Sequence, residues 1–71
     1  MKVIYDRETD TLVVVLREGE VSESDELRAD LIADYDSEGH VMSLELLNAS
    51  QHLSEPGAIS YEFREVSGRR T

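Results

Sequence analysis

The sequence predicts a mainly β domain, α+β at most: an antiparallel meander of four to five strands with one short helix near residues 48–54. Three observations carry this reading. Apolar residues alternate with polar ones in several short runs. Clusters of Gly, Pro, Asp and Ser separate those runs. The stretch Leu27 to Ser50 (LRADLIADYDSEGHVMSLELLNAS) places two alternating runs on either side of one polar turn, Asp36-Ser37-Glu38-Gly39, which is a hairpin signal.

The elements follow in order. Lys2 to Asp6 (KVIYD) reads as a short strand with Val3 and Tyr5 on one face and Ile4 on the other. Arg7 to Asp10 is polar and turn-like. Thr11 to Arg17 (TLVVVLR) holds three consecutive valines and is apolar on both faces, which suits a strand inside a sheet. Glu18-Gly19-Glu20 breaks it, and Val21 to Asp25 reads as a connection. A helix capped by Ser24, with Leu27, Leu31 and Ile32 on one face, competes with a strand here. The unbroken alternation of Leu27, Ala29, Leu31, Ala33 and Tyr35 favours the strand.

Side-chain matching sets the hairpin register. A four-residue loop, Asp36 to Gly39, puts Tyr35 opposite His40. Ala33 then faces Met42, Leu31 faces Leu44, and Ala29 faces Leu46. The second face receives Asp34 with Val41, Ile32 with Ser43 and Asp30 with Glu45. A loop one residue shorter would set Leu31 against Glu45, because a one-residue slip turns a strand over. In this register Leu44 is a core residue, and Leu44→Ala is expected to cost roughly 2–4 kcal/mol. Past the hairpin, Asn48 or Ser50 is placed to cap a short helical turn holding Leu53. Ser54-Glu55-Pro56-Gly57 is a breaker. Ala58 to Val66 (AISYEFREV) alternates again and reads as a C-terminal strand, followed by a tail from Ser67 to Thr71.

With 71 residues the chain is one small domain, and its core is marginal by size alone. It contains no cysteine, which excludes disulfides, thiol catalysis and thiolate-bound metals. Sixteen acidic residues against seven basic ones give a net charge of −9. Such a surface repels nucleic acid and attracts a basic protein. No apolar run reaches the length of a membrane span and no charged-then-apolar leader opens the chain, so the expectation is a cytoplasmic protein without membrane contact.

Candidate chemistry is sparse. Asp34, Asp36, Glu38 and Glu45, with Gly39, match the spacing of an EF-hand calcium loop, except that Glu38 stands where Asp or Asn is usual. An EF-hand needs a helix on each side, and both arms alternate as strands do. An acidic hairpin turn is the simpler account. His40 and His52 are single imidazoles without a second ligand at helical spacing. Asp30 and Glu45 face each other as a carboxylate pair on the wetter side of the hairpin. Ser24 and Ser50 are the hydroxyls available to a hydrolytic site, which would need a deeper pocket than 71 residues usually offer. Nothing in the pattern calls for a cofactor. Tyr5, Tyr35, Tyr61 and Phe63 read as core and interface anchors, since the basic residues of a nucleic-acid stacking platform are missing.

A family pattern is present. Tyr5-Asp6-x-Glu8-Thr9-Asp10-x-Leu12, Val21-x-x-Ser24, Ala33-Asp34-Tyr35-Asp36-x-x-Gly39-x-Val41 and Leu44-Glu45-Leu46-Leu47-x-Ala49-Ser50 follow one another in the order and spacing of the domain-of-unknown-function family 2283, small bacterial and archaeal proteins. The chain resembles that family over residues 1 to about 50, departing at Ser43, where glycine is more usual. The resemblance brings no catalytic residues with it. It implies a small partner protein, in some members an antitoxin for a toxin-like protein.

The leading expectation is therefore a non-enzymatic protein-interaction module, plausibly a regulatory or antitoxin-like partner of a small basic protein. A metal-dependent or acid–base enzyme using the 34–45 carboxylates is the alternative, and a structural subunit of a larger assembly is a third. A homodimer is expected, because one sheet cannot bury both of its faces. Ile59, Tyr61 and Phe63 are its expected interface residues.

Overall fold

The structure is a computed structural model and describes residues 1–65. Five strands form one antiparallel sheet: β1 (Lys2–Asp6), β2 (Thr11–Val15), β3 (Glu23–Arg28), β4 (Leu31–Tyr35) and β5 (Val41–Leu46). One short helix, α1 (Ala49–His52), follows. The strand order is β1-β2-β5-β4-β3. Two units are thus joined side by side: the β1–β2 hairpin and the β3–β4–β5 meander. The simple sequential order breaks once, after β2, where residues 16–22 run to the far edge of the sheet and leave the place beside β2 to β5. Among the described residues no helix is long and apolar enough to cross a membrane.

The expected strand across Leu27–Tyr35 is in fact two strands. Ala29 and Asp30 form a two-residue connection, with Arg28 opposite Leu31, and the supposed connection before it is the edge strand β3. Alternation hid the turn because a two-residue loop preserves the period of two. Asp30 makes the turn at φ 70°, a left-handed conformation that Asp tolerates better than most residues.

The hairpin register also differs from the one inferred from side-chain matching. The loop is Ser37 to Gly39, one residue shorter: Asp36 N–H donates to the His40 carbonyl (3.0 Å), and Gly39 N–H donates to the Asp36 carbonyl (3.1 Å). Tyr35 then faces Val41, and an extra residue, Met42, shifts the register again so that Asp34 faces Ser43. The bulge undoes the slip. Leu31 and Ala33 stay on one face with Leu44 and Leu46, while Asp34 and Ile32 stay on the other with Ser43 and Glu45. From Ser43 onward the face assignments survive, Val41 crosses to the face of Tyr35, and every partner changes. Met42 is buried, and its carbonyl accepts from both Leu16 N–H (2.7 Å) and Arg17 N–H (3.1 Å), which ties the end of β2 to the bulge.

Across the sheet the residues form rows. Val3, Val14, Leu44 and Ala33 make one apolar row, and Tyr5, Leu12, Leu46 and Leu31 make the next on the same face. The opposite face carries the row Ile4, Val13, Glu45, Ile32 and the row Lys2, Val15, Ser43, Asp34, Ser24. Burial is shallow: Ala33, Met42 and Ala49 are the buried apolar residues among those described, and none of the large side chains is fully enclosed. Leu44 is only half-buried.

Residues 58–65 form no strand and pair with no neighbour, in contrast to the expected C-terminal strand; Val66 and the expected tail lie outside the described residues. Ile59, Tyr61 and Phe63 are 70%, 75% and 75% exposed. Their alternation meets a strand's pattern, but no sheet edge of the same chain takes it up.

Two stability outcomes follow from this layer. Leu44→Ala is expected to cost about 1–2 kcal/mol, below the loss for a fully enclosed leucine, because solvent already reaches the site. Gly39 sits at φ 88° with open space where a Cβ would go. Gly39→Val should therefore destabilise by backbone strain alone, about 1–3 kcal/mol, while Gly39→Asn loses less. Urea unfolding of the three variants measures both; a Gly39→Val protein as stable as its parent would contradict the turn geometry.

Candidate functional site

Two polar clusters stand on this sheet, each made by strand register. The first centres on Asp34, which is 4% exposed. Ser24 from β3 and Ser43 from β5 face it directly. Ser24 Oγ donates to Oδ1 and Ser43 Oγ to Oδ2, each at 2.6 Å. Ser43 thus supplies a second hydroxyl to the same carboxylate. Glu45 sits diagonally across from Asp34, within hydrogen-bonding reach, and is flanked in its row by Val13 and Ile32.

The two carboxyls are driven apart. Burial raises the Asp34 carboxyl, but hydrogen bonds from Glu45, Ser24 and Ser43 outweigh it and hold the group below the usual aspartate range. The hydrogen bond to Asp34 raises the Glu45 carboxyl above the usual glutamate range; its apolar surroundings and the charge of Asp34 add to this. Of the two, Glu45 is the carboxyl whose protonated form is favoured. The register that brings Glu45 to Asp34 takes it away from Asp30, its expected partner.

The second cluster spans the turn ends of two hairpins. Asp10 and Asp30 both adopt left-handed conformations immediately before a strand. Asp10 accepts hydrogen bonds from Tyr5 Oη (2.7 Å), Ser50 N–H (3.1 Å) and Ser50 Oγ (2.7 Å), and its own carbonyl receives Ala49 N–H (2.9 Å). Asp30 accepts from Asn48 Nδ2 (3.2 Å) and pairs with His52 Nε2 (3.0 Å), and its carbonyl receives Leu47 N–H (2.8 Å). One short segment, 47–52, is therefore pinned at both ends by two aspartates far away in sequence. Hydrogen bonds from Tyr5 and Ser50 lower the Asp10 carboxyl, and those from His52 and Asn48 lower the Asp30 carboxyl. Asp10 in turn raises the Tyr5 phenol above its ordinary value of 10.0. Contrary to the expected side-chain cap, Asn48 stands at the N-cap of α1 without capping it: it takes a left-handed φ of 52° and reaches to Asp30, while Ser50 lies inside the helix and bonds Asp10.

The EF-hand-spaced carboxylates do not converge. Strands, not helices, flank them. Asp36 is occupied by its own turn, accepting from the N–H groups of Glu38 and His40 (both 2.9 Å) and lying 3.1 Å from His40 Nδ1; these contacts, His40 N–H first, lower its carboxyl. Glu38 points out into solvent at the loop tip. Asp34 and Glu45 lie on the sheet face, and no three such side chains among the described residues are grouped to hold a metal ion. His40 contacts Asp36, not Tyr35, and His52 contacts Asp30.

Sequence reasoning missed Asp10 and Asp30 as anchors and the serines as partners of Asp34. A usable signal existed at the two aspartates: each directly precedes a leucine-bearing strand start, Thr11-Leu12 and Leu31. For Ser24 and Ser43 there was none, since they meet only through β3–β4–β5 pairing.

The opposed shifts of the two carboxyls set a pH signature. The raised Glu45 carboxyl contributes stability that is full below the ordinary glutamate range and is lost as pH rises through its raised value. The lowered Asp34 carboxyl contributes stability that is present above the ordinary aspartate range and is lost as pH falls through its lowered value. Glu45→Gln keeps a hydrogen-bond donor for Asp34 and removes the charge. It should raise the melting temperature near neutral pH, with the gain fading as pH drops below the glutamate range. Thermal melts across pH test this; a gain that stays constant with pH would show that the Glu45 carboxyl is not raised.

The chain was compared with known proteins. No curated protein and no solved structure matches it. The pattern of a family described as "Protein of unknown function (DUF2283)" matches residues 2–50, which takes in all five strands and stops at Ser50, the residue that binds Asp10. With more than half of its length in that match, the chain belongs to the DUF2283 family.

Proposed function

We propose that this protein is a non-enzymatic interaction module for a basic protein partner; a small toxin-like protein would suit such a surface. One observation carries the reading. At one corner of the sheet a groove of about 540 Å³ is lined by Glu18 and Glu20 from the β2–β3 connection and by Asp36 and Glu38 from the hairpin turn, with Met42 among its walls. Arg17 is the one basic side chain in that lining. The edge strand β3 adjoins it and keeps Glu23, Asp25 and Glu26 in solvent. Carboxylates from three separate segments thus line one edge whose backbone groups face no further strand, beside the exposed Val21. A lysine or arginine can lay its stem on such a residue and its head among the carboxylates.

A second reading, an acid–base enzyme, has the Asp34–Glu45 pair in its favour. The pair resembles a general acid beside its conjugate base. Against it, both oxygens of Asp34 are already taken by Ser24 and Ser43, and none of the described cavities includes Asp34 or Glu45 in its lining.

The test uses the partner that co-purifies with the natively expressed chain, identified by mass spectrometry. Its association rate should fall as ionic strength rises, since steering between exposed charges is screened. Reversing Glu18, Glu20 and Glu38 together to Lys should slow association and remove most of the salt dependence, with the melting temperature little changed. A rate that is flat with salt in the parent protein would defeat the electrostatic reading.

A further inference from the structure

The sheet has one apolar face, and most of it is left uncovered by the described residues. The rows Val3–Val14–Leu44–Ala33 and Tyr5–Leu12–Leu46–Leu31 run side by side over four strands. Only one end of this band is approached from within the chain. There, residues 53–60 stand off the sheet and leave a cleft of about 380 Å³ bounded by Val3, Tyr5, Leu12, Leu53, Pro56 and Ile59. The opposite face is interrupted by Lys2, Asp34 and Glu45 and makes a poor apolar surface.

The second unsatisfied feature is a segment that pairs with no strand. Ile59, Tyr61 and Phe63 stand at its alternate positions and are 70%, 75% and 75% exposed. Large side chains of this kind bury about 150–250 Å² each when covered, so the three offer on the order of 400 Å² per protomer. In an exchange each protomer contributes this segment and also the band its partner's segment covers, which together approach the roughly 800 Å² per partner of a stable interface.

The two features fit each other between copies. We propose that a second copy of this chain supplies the missing layer, the Ile59–Phe63 segment of each protomer lying across the apolar band of its partner. From Ile59 to Phe63 the chain reaches about 14 Å when extended. Crossing from β1 to β4 takes three strand spacings, about 14 Å. The segment is therefore long enough to cover all four apolar strands. Exchange of this kind is symmetric, so two copies satisfy each other and the assembly closes. This inference does not depend on a basic partner, whose proposed groove lies at the β3 corner.

Sedimentation of the full chain at micromolar concentration should show a species of twice the 8.0 kDa chain mass. Phe63→Glu should weaken the dimer on the order of tenfold or more by placing an unpaired charge in an apolar contact. Because Phe63 is exposed in the single chain, this variant should keep the parent's strand signature in circular dichroism. Glu62→Lys, its neighbour of opposite orientation, should dimerise like the parent. The absence of native cysteine allows a direct check of geometry. Val14→Cys and Tyr61→Cys chains, mixed and oxidised, should form a disulfide between unlike chains. A species of single-chain mass across the concentration range would overturn the proposal. So would a dimer indifferent to Phe63→Glu, or a mixture that yields no disulfide between the unlike chains.

Discussion

The pairing of β2 with β5 is the contact on which this molecule depends. Each of its two units, the β1–β2 hairpin and the β3–β4–β5 meander, is too small to persist alone, because two or three short strands bury little. Their union rests on four facing pairs, from Leu12–Leu46 to Val15–Ser43. Two further ties hold that register from the ends. At one end the Met42 carbonyl takes both Leu16 and Arg17 N–H groups. At the other, Asp10 and Asp30, one from each unit, grip the same 47–52 segment. Sliding β2 along β5 by one residue would break both ties and turn Val14 toward the polar face.

The left-handed residues explain how the grip is built. Asp10, Asp30 and Asn48 each take a positive φ that most side chains resist. Asp and Asn accept it at modest cost, and their side chains repay the strain with hydrogen bonds across the turn ends. The carboxylates that look like surplus charge at −9 are therefore not all alike. Asp10, Asp30, Asp34 and Asp36 are committed to internal partners and hold their charge tightly. Glu18, Glu20 and Glu38 line the corner groove, and Glu23, Asp25 and Glu26 stand in solvent beside it. The division of labour between structural and surface acids falls largely between aspartates and glutamates: Asp36 holds the N–H groups of its own turn, and Asp10, Asp30 and Asp34 hold partners from other segments.

A single layer also explains the shallow core. Side chains within one sheet shield each other only laterally, so Leu44 and its neighbours stay half-buried however well their rows match. Small Ala33, with Leu44 and Asp25 facing it from the two neighbouring strands, is buried to 1%. Larger residues need a layer above them.

Alternation and turn chemistry alone established a mainly antiparallel β domain of four to five strands, the bounds of β1, the apolar character of β2, the faces of β4 and of Ser43 to Leu46 in β5, and a short helix near residues 48–54. These are local properties: period two assigns faces without knowing the partner, and Asp, Ser and Gly bend the chain whatever lies beyond. Pairing was decided only by the tertiary structure. The turn at Ala29–Asp30 left no break in the alternation, and the bulge at Met42 compensated a shorter loop, so the parity of the hairpin was legible and its register was not. The Asp34–Ser24–Ser43–Glu45 cluster was invisible for the same reason, since a two-residue change in register moves Glu45 from Asp30 to the neighbourhood of Asp34 while leaving its face unchanged. Ile59, Tyr61 and Phe63 mark the limit from the other side: their alternation is that of a strand, but a strand also needs an edge to pair with, and no edge within the chain takes them up.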